Sequence, residues 1–132
     1  MKRAHLIFGI IIFVVFLITG QFMDGSFPDK EQISPEFRLL IRSRHIYILL
    51  SSPAHIFLGL YLQISPPGWQ KSLQIAGSVF LSLGSVLLVT AFFYETYATK
   101  YFSEVSRLGL YASLAGTVFH LLSRFALKSK NA

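Results

Sequence analysis

Leu6 to Met23 is eighteen consecutive residues without a charged side chain, and three more runs of that kind follow. Ile46 to Gln70 carries only His55 as an ionisable group near neutral pH, Ser72 to Tyr94 carries none, and Leu108 to Ser123 carries only His120. A helix that crosses a bilayer needs about 17–25 predominantly apolar residues. The pattern therefore predicts an all-α integral membrane four-helix bundle of up-down topology, with helices over about 5–23, 35–64, 70–95 and 104–127. Arg107 and Arg124 flank the shortest run and can snorkel to the two interfaces. The chain of 132 residues is 53% hydrophobic and 14% charged; soluble domains average about 45–50% and 25%. Residues 1–132 are expected to form one membrane domain.

The segment "MKRAHLIFGIIIFVVFLITG" also carries the positive start and apolar core of a signal peptide. Its run is long for that purpose, and small-x-small spacing is poor around Gly20 and Gly25. A retained first helix is the expectation. With no cysteine in the chain, disulfides, thiol chemistry and cysteine metal sites are excluded.

Lys and Arg divide evenly between the two faces of a four-span bundle, while all six acids fall on one face. Orientation follows Lys and Arg rather than net charge, so Lys2 and Arg3, directly before the first helix, decide it. Both termini are expected in the cytoplasm, in a bacterial inner membrane. "SPPGWQK" reads as a tight turn with Trp69 at an interface. In the first loop, Ser34 can cap a helix that begins at Pro35, with Glu36 in its first turn. Ser103 and Glu104 can open the fourth helix in the same way.

Two groups of polar residues need explanation. The first is an outer rim of Asp24, Arg42, Arg44, His45, Tyr47, Glu95 and Arg107, with Tyr94, Tyr97, Tyr101 and Tyr111 as an aromatic girdle. Cations near a helix N-terminus oppose its dipole, so Asp24 and Glu95 are the expected partners of Arg42 or Arg44. The rim is either a belt of ion pairs touching lipid phosphate, or a site for an anionic headgroup, quinone or partner protein. No nucleophile arrangement or metal spacing links its residues, so catalysis is not expected. The net charge of +6 suits anionic lipid, and no nucleic-acid motif is present.

The second group is internal. His55 lies nine residues beyond Ile46, roughly 14 Å along its helix, and His120 twelve beyond Leu108, roughly 18 Å along its own. Both are expected to face inward at similar depth. Gly109, Ser113, Gly116, His120 and Ser123 form one stripe of small and polar residues, and Ser51, His55 and Gly59 another. Ser78, Ser82 and Ser85 supply a third small face, and such faces let membrane helices approach closely. Pro53 should loosen the backbone bonding beside His55. The seam is read as neutral histidines bonded to Ser51, Ser52, Ser113 or Thr117. The alternative is haem b, held by His55 and His120 with Arg124 near a propionate; that likeness to four-helix membrane cytochromes is architectural only. His5 and His45 are expected near the interfaces, solvated.

The leading expectation is a non-enzymatic accessory or binding protein of the membrane, in contact with anionic lipid and with a membrane protein partner or a second copy. A b-type haem protein passing electrons, with quinone as a candidate partner, comes second, and a small-solute or proton transporter third. The transporter is weakened by the lack of an acid within the spans.

Overall fold

In a computed structural model, the structure describes residues 1–27, 33–95 and 104–129, with side chains as far as Arg124. The described residues form four helices: α1 (Lys2–Ser26), α2 (Pro35–Tyr61), α3 (Trp69–Glu95) and α4 (Glu104–Ser129). Among these helices, three stretches are long and apolar enough to cross a membrane: Lys2–Ser26, Trp69–Glu95 and Glu104–Arg124. In α2, Arg44, His45, Ser51, Ser52, Pro53 and His55 dilute the apolar content. This composition is consistent with an integral membrane protein.

The ends of α2 follow local chemistry. Ser34 Oγ accepts from Phe37 N at 3.3 Å, Pro35 occupies the first helical position and Glu36 lies in the first turn. The helix stops at Tyr61, three residues before the expected 64. The Ser65-Pro66-Pro67 sequence explains the early stop, because a residue before proline is pushed out of the helical region. The extended strip that follows takes its bonds from α3. Gln74 Oε1 accepts from Ser65 N at 3.0 Å, and Gln74 Nε2 donates to Gln63 O at 2.7 Å. Gly68 completes the turn at φ +147°, a conformation that side-chain-bearing residues rarely adopt. The Ser103 cap and the girdle residues Tyr97 and Tyr101 lie outside the described residues.

Successive helices run antiparallel. At α1 and α2, a Cβ on Gly59 would lie 2.7 Å from the backbone of Leu6, and one on Gly9 would lie 2.9 Å from Ile56 N. At α3 and α4, a Cβ on Gly116 would lie 2.7 Å from Gly77 O, and one on Gly84 would lie 2.8 Å from Gly109 O. Small residues thus set both close approaches. Ser52 Oγ donates to Gly9 O at 2.9 Å and ties α2 to α1. α2 and α3 join the two pairs through His55 to Ser85 and Arg44 to Glu95.

The interior changes character along its length. Toward the end carrying Asp24 and Glu95, here the rim end, Ile12, Ile41, Ile48 and Phe92 form an apolar core. Toward the other end, here the turn end, Leu62 and Leu81 are buried among many polar residues, including His5, Ser52, His55, Gln74, Ser85, His120 and Ser123. Outward positions are apolar on every helix, as with Ile11, Leu50, Phe57, Val79 and Leu114. A water-soluble fold reverses that arrangement.

Candidate functional site

Four helices contribute to one polar cluster near the turn end. His5 lies three residues after the start of α1, His55 six before the end of α2, Ser78 nine after the start of α3, and His120 nine before the end of α4. Antiparallel packing brings these positions to one level. His5 Nδ1 and His55 Nδ1 are 2.8 Å apart, and His5 Nε2 lies 2.8 Å from Ser78 Oγ. Ser78 Oγ is also 3.3 Å from His120 Nε2, and it donates to Gln74 O at 2.8 Å in one of its arrangements. On the far side, His55 Nε2 is 3.1 Å from Ser85 Oγ, itself 3.0 Å from Leu81 O. The rings of His5 and His55 lie with centroids 5.0 Å apart, and Phe8 packs edge-on against His55.

Two expectations are corrected. His5 is buried rather than solvated: the antiparallel partner helices cover the first turn of α1, whatever its distance from the apolar run. The histidines also choose other partners than Ser51, Ser52, Ser113 and Thr117. Ser51 Oγ donates to Ile48 O, Ser52 Oγ to Gly9 O, Ser113 Oγ to Gly109 O and Thr117 Oγ1 to Ser113 O. A helical hydroxyl finds a carbonyl of its own preceding turn with little effort, which leaves Ser78 and Ser85 to the imidazoles.

His55 and His120 do not face each other across an open gap. His5 and Ser78 stand between them, and both ring nitrogens of His55 are engaged. These side chains do not fit a porphyrin in that position. A cavity of about 300 Å³ opens beside His120 and Arg124, walled by Phe57, Tyr61 and Leu121, and His55 is not among its lining residues. His120 Nδ1 is buried and has no hydrogen-bond partner among the described residues. The 2.8 Å between His5 and His55 nitrogens is a hydrogen-bond length; two nitrogens bound tetrahedrally at about 2.0–2.1 Å to zinc would be about 3.3 Å apart.

The rim residues divide into separate assemblies. Arg44 is buried against Glu95: its guanidinium donates to Glu95 O, and Nε is 3.9 Å from Oε2. Glu95 in turn accepts from Val105 N at 3.0 Å and from Ser106 Oγ at 2.8 Å. Arg44 therefore serves the C-terminus of α3, where a cation suits the dipole, and Glu95 serves the N-terminus of α4. Arg107 belongs to neither assembly; it pairs with Glu104 at 2.6 Å on the exposed first turn of α4. Arg42, two residues from Arg44, is exposed, and Tyr47 is half-buried.

His45 is half-buried rather than solvated, stacked on Phe16 at a 4.1 Å centroid distance and 3.0 Å from Thr19 Oγ1. It lines a groove of about 210 Å³ together with Asp24, Arg38, Arg42 and the apolar Met23 and Phe27. Arg38 had no place in the sequence-based rim; only its position three and four residues from Ile41 and Arg42 on one helix face marks it. Comparison with protein-family models, curated proteins and solved structures finds no match to this chain.

Proposed function

We propose that the chain is a four-span integral membrane binding protein, both termini cytoplasmic, that takes an anionic headgroup into the groove between α1 and α2 at the outer rim. The division of the rim's arginines carries this reading. Arg44 is committed to Glu95 and the end of α3, whereas Arg38 and Arg42 line a groove beside His45. Phe27 and Met23 give the same groove an apolar side suited to the first carbons of an acyl chain. For α2 as the fourth span, the support is its polarity: Arg44, Ser51, Ser52 and His55 are buried, while Ile46, Leu50, Phe57 and Leu60 are exposed. The haem reading draws no support from His55 and His120, which His5 and Ser78 bridge.

Two outcomes are expected. The chain has no native cysteine, so single cysteines placed at Lys30 and Lys128 give a clean topology test. They should react with an impermeant thiol reagent from opposite sides of intact cells and inverted vesicles; reaction from one side rejects four spans. For the groove, native mass spectrometry should find a short-chain anionic phospholipid retained over a zwitterionic one. Each basic residue near an anionic surface contributes about 1 kcal/mol, so Arg38→Ala with Arg42→Ala should weaken retention by ~30-fold. Equal retention by the double variant rejects the groove.

A further inference from the structure

At the turn end, away from the rim groove, α2 and α4 stand apart. α2 packs mainly on α1 and α4 mainly on α3, and the two meet only lightly. The cavity of about 300 Å³ lies between them, a size at the lower end of small-molecule pockets, which run to about 300–1,000 Å³. Its two walls repeat at helical spacing. Ala54, Phe57 and Tyr61 of α2 line one side, and Thr117, Leu121 and Arg124 of α4 the other. Each set spans two turns, about 10 Å along its helix. Leu81 of α3, itself buried, closes the inner side.

The polar side chains deeper in this cavity are already committed. Gln74 holds Ser65 N and Gln63 O, Ser123 Oγ donates to His120 O, and Thr117 Oγ1 donates to Ser113 O. His120 turns Nε2 to Ser78, and its other ring nitrogen is buried. At the mouth, Arg124 is exposed and has no hydrogen bond or ion pair with a described residue. The same end of the bundle carries Lys2, Arg3 and Lys71, whereas the described carboxylates Asp24, Glu36, Glu95 and Glu104 all lie toward the rim end. The cavity is therefore apolar along its depth and cationic at its mouth.

We infer that this cavity between α2 and α4 is a binding site for an aliphatic carboxylate, a fatty-acid anion, with its carboxylate on Arg124 and its chain between Phe57 and Leu121. The planar fork of a guanidinium matches the two oxygens of one carboxylate. The chain then runs inward past Leu81 to Ala54 and Thr117, with no polar group to satisfy. A glycerophospholipid with its phosphate at Arg124 would bring its ester groups into the part of the cavity where no donor is free, and unpaired polar groups there are costly. The ligand joins two helices that side chains alone leave apart, so its binding also stabilises the fold.

The test uses the full-length protein in neutral detergent micelles at alkaline pH, with decanoate as the probe and decanol as its uncharged counterpart. Native mass spectrometry should find one decanoate retained about 5-fold better than decanol, the worth of one basic residue near a membrane surface. Arg124→Gln should erase that preference, while the rim variant Arg38→Ala/Arg42→Ala binds as the parent does. Thr117→Phe, which fills the cavity from a position not buried in the fold, should abolish retention of both probes; Ala54→Leu checks the same point from α2. Circular dichroism confirms that each variant is folded. A decanoate carrying a photoreactive diazirine at its chain end should label residues at Ala54, Leu81 or Thr117. The inference is overturned if decanol is retained equally, if folded Arg124→Gln keeps the preference, if both cavity-filling variants still bind, if the label lands outside the cavity, or if a two-chain phosphatidylglycerol displaces decanoate at equal concentration.

Discussion

Gly116→Leu is expected to separate α3 from α4 and abolish the native helix packing. A Cβ at Gly116 would meet Gly77 O and Leu81 N at 2.7 Å and Leu81 Cα at 3.0 Å, all main-chain atoms that no rotamer change can move. A Cβ on Gly77 would likewise stand 2.9 Å from Gly116 O and about 3 Å from the ring of His120. Overpacking a well-packed interior costs about 1–3 kcal/mol when side chains can shift. Here the helices themselves must part, so even Gly116→Ala should lose at least ~3 kcal/mol, a large share of the ~5–15 kcal/mol that holds a domain together. The displacement would also draw His120 from Ser78. Gly25→Ala is the matched control: no described residue lies within 4 Å of its Cβ position, and stability should not fall. Unfolding in mixed micelles, followed by circular dichroism, reads both. A Gly116→Leu protein as stable as the parent would mean that this helix contact is not formed.

The same glycine shows what could be read from the sequence. The stripe Gly109, Ser113, Gly116, His120 marks the α4 face that meets α3, because helical spacing fixes which residues share a side. On α3 the small face of Ser78, Ser82 and Ser85 supplies the polar side, while Gly77 and Gly84, seven residues apart, make the close contacts. Ser78 and Ser85, one residue on, turn to the histidines. Periodicity identifies a face to within one neighbouring position, and that error exchanges the packing surface for the polar one. His5 escapes a reading of the sequence for a different reason. Depth measured from the start of an apolar run puts it at the surface. Counting from helix ends in an antiparallel arrangement puts it level with His55. The Ser34–Pro35 helix start was legible because capping depends on four consecutive residues and on nothing distant. At the rim, Arg42 and Arg44 look equivalent in sequence, yet they stand about 200° apart around a helix of 3.6 residues per turn. One is buried and the other exposed. Nothing local predicts which one meets α3.

That buried arginine supports the second large effect. Arg44→Met should cost about 3–5 kcal/mol, the usual loss when one member of a buried ion pair is removed and the other stays. Two losses combine. The carbonyl of Glu95 at the end of α3 loses its donor, and the Glu95 carboxylate, bonded to Val105 N and Ser106 Oγ, stays buried without its arginine. Glu95→Gln should cost less, because a neutral amide can still accept from Val105 N and leaves Arg44 bonded to the main-chain carbonyl. A pair on the surface would be worth only about 0–1 kcal/mol, and Arg107→Ala, which breaks the exposed contact to Glu104, should fall in that range. The double variant Arg44→Met/Glu95→Gln separates pairing from other roles. With no charge left to bury, it should be more stable than the sum of the single losses by at least ~1.5 kcal/mol. Losses that add to within ~0.5 kcal/mol would show two residues acting independently. In that case Arg44 would be free to serve the same anionic ligand as Arg38 and Arg42, and the division of the rim into a structural arginine and a binding groove would fail.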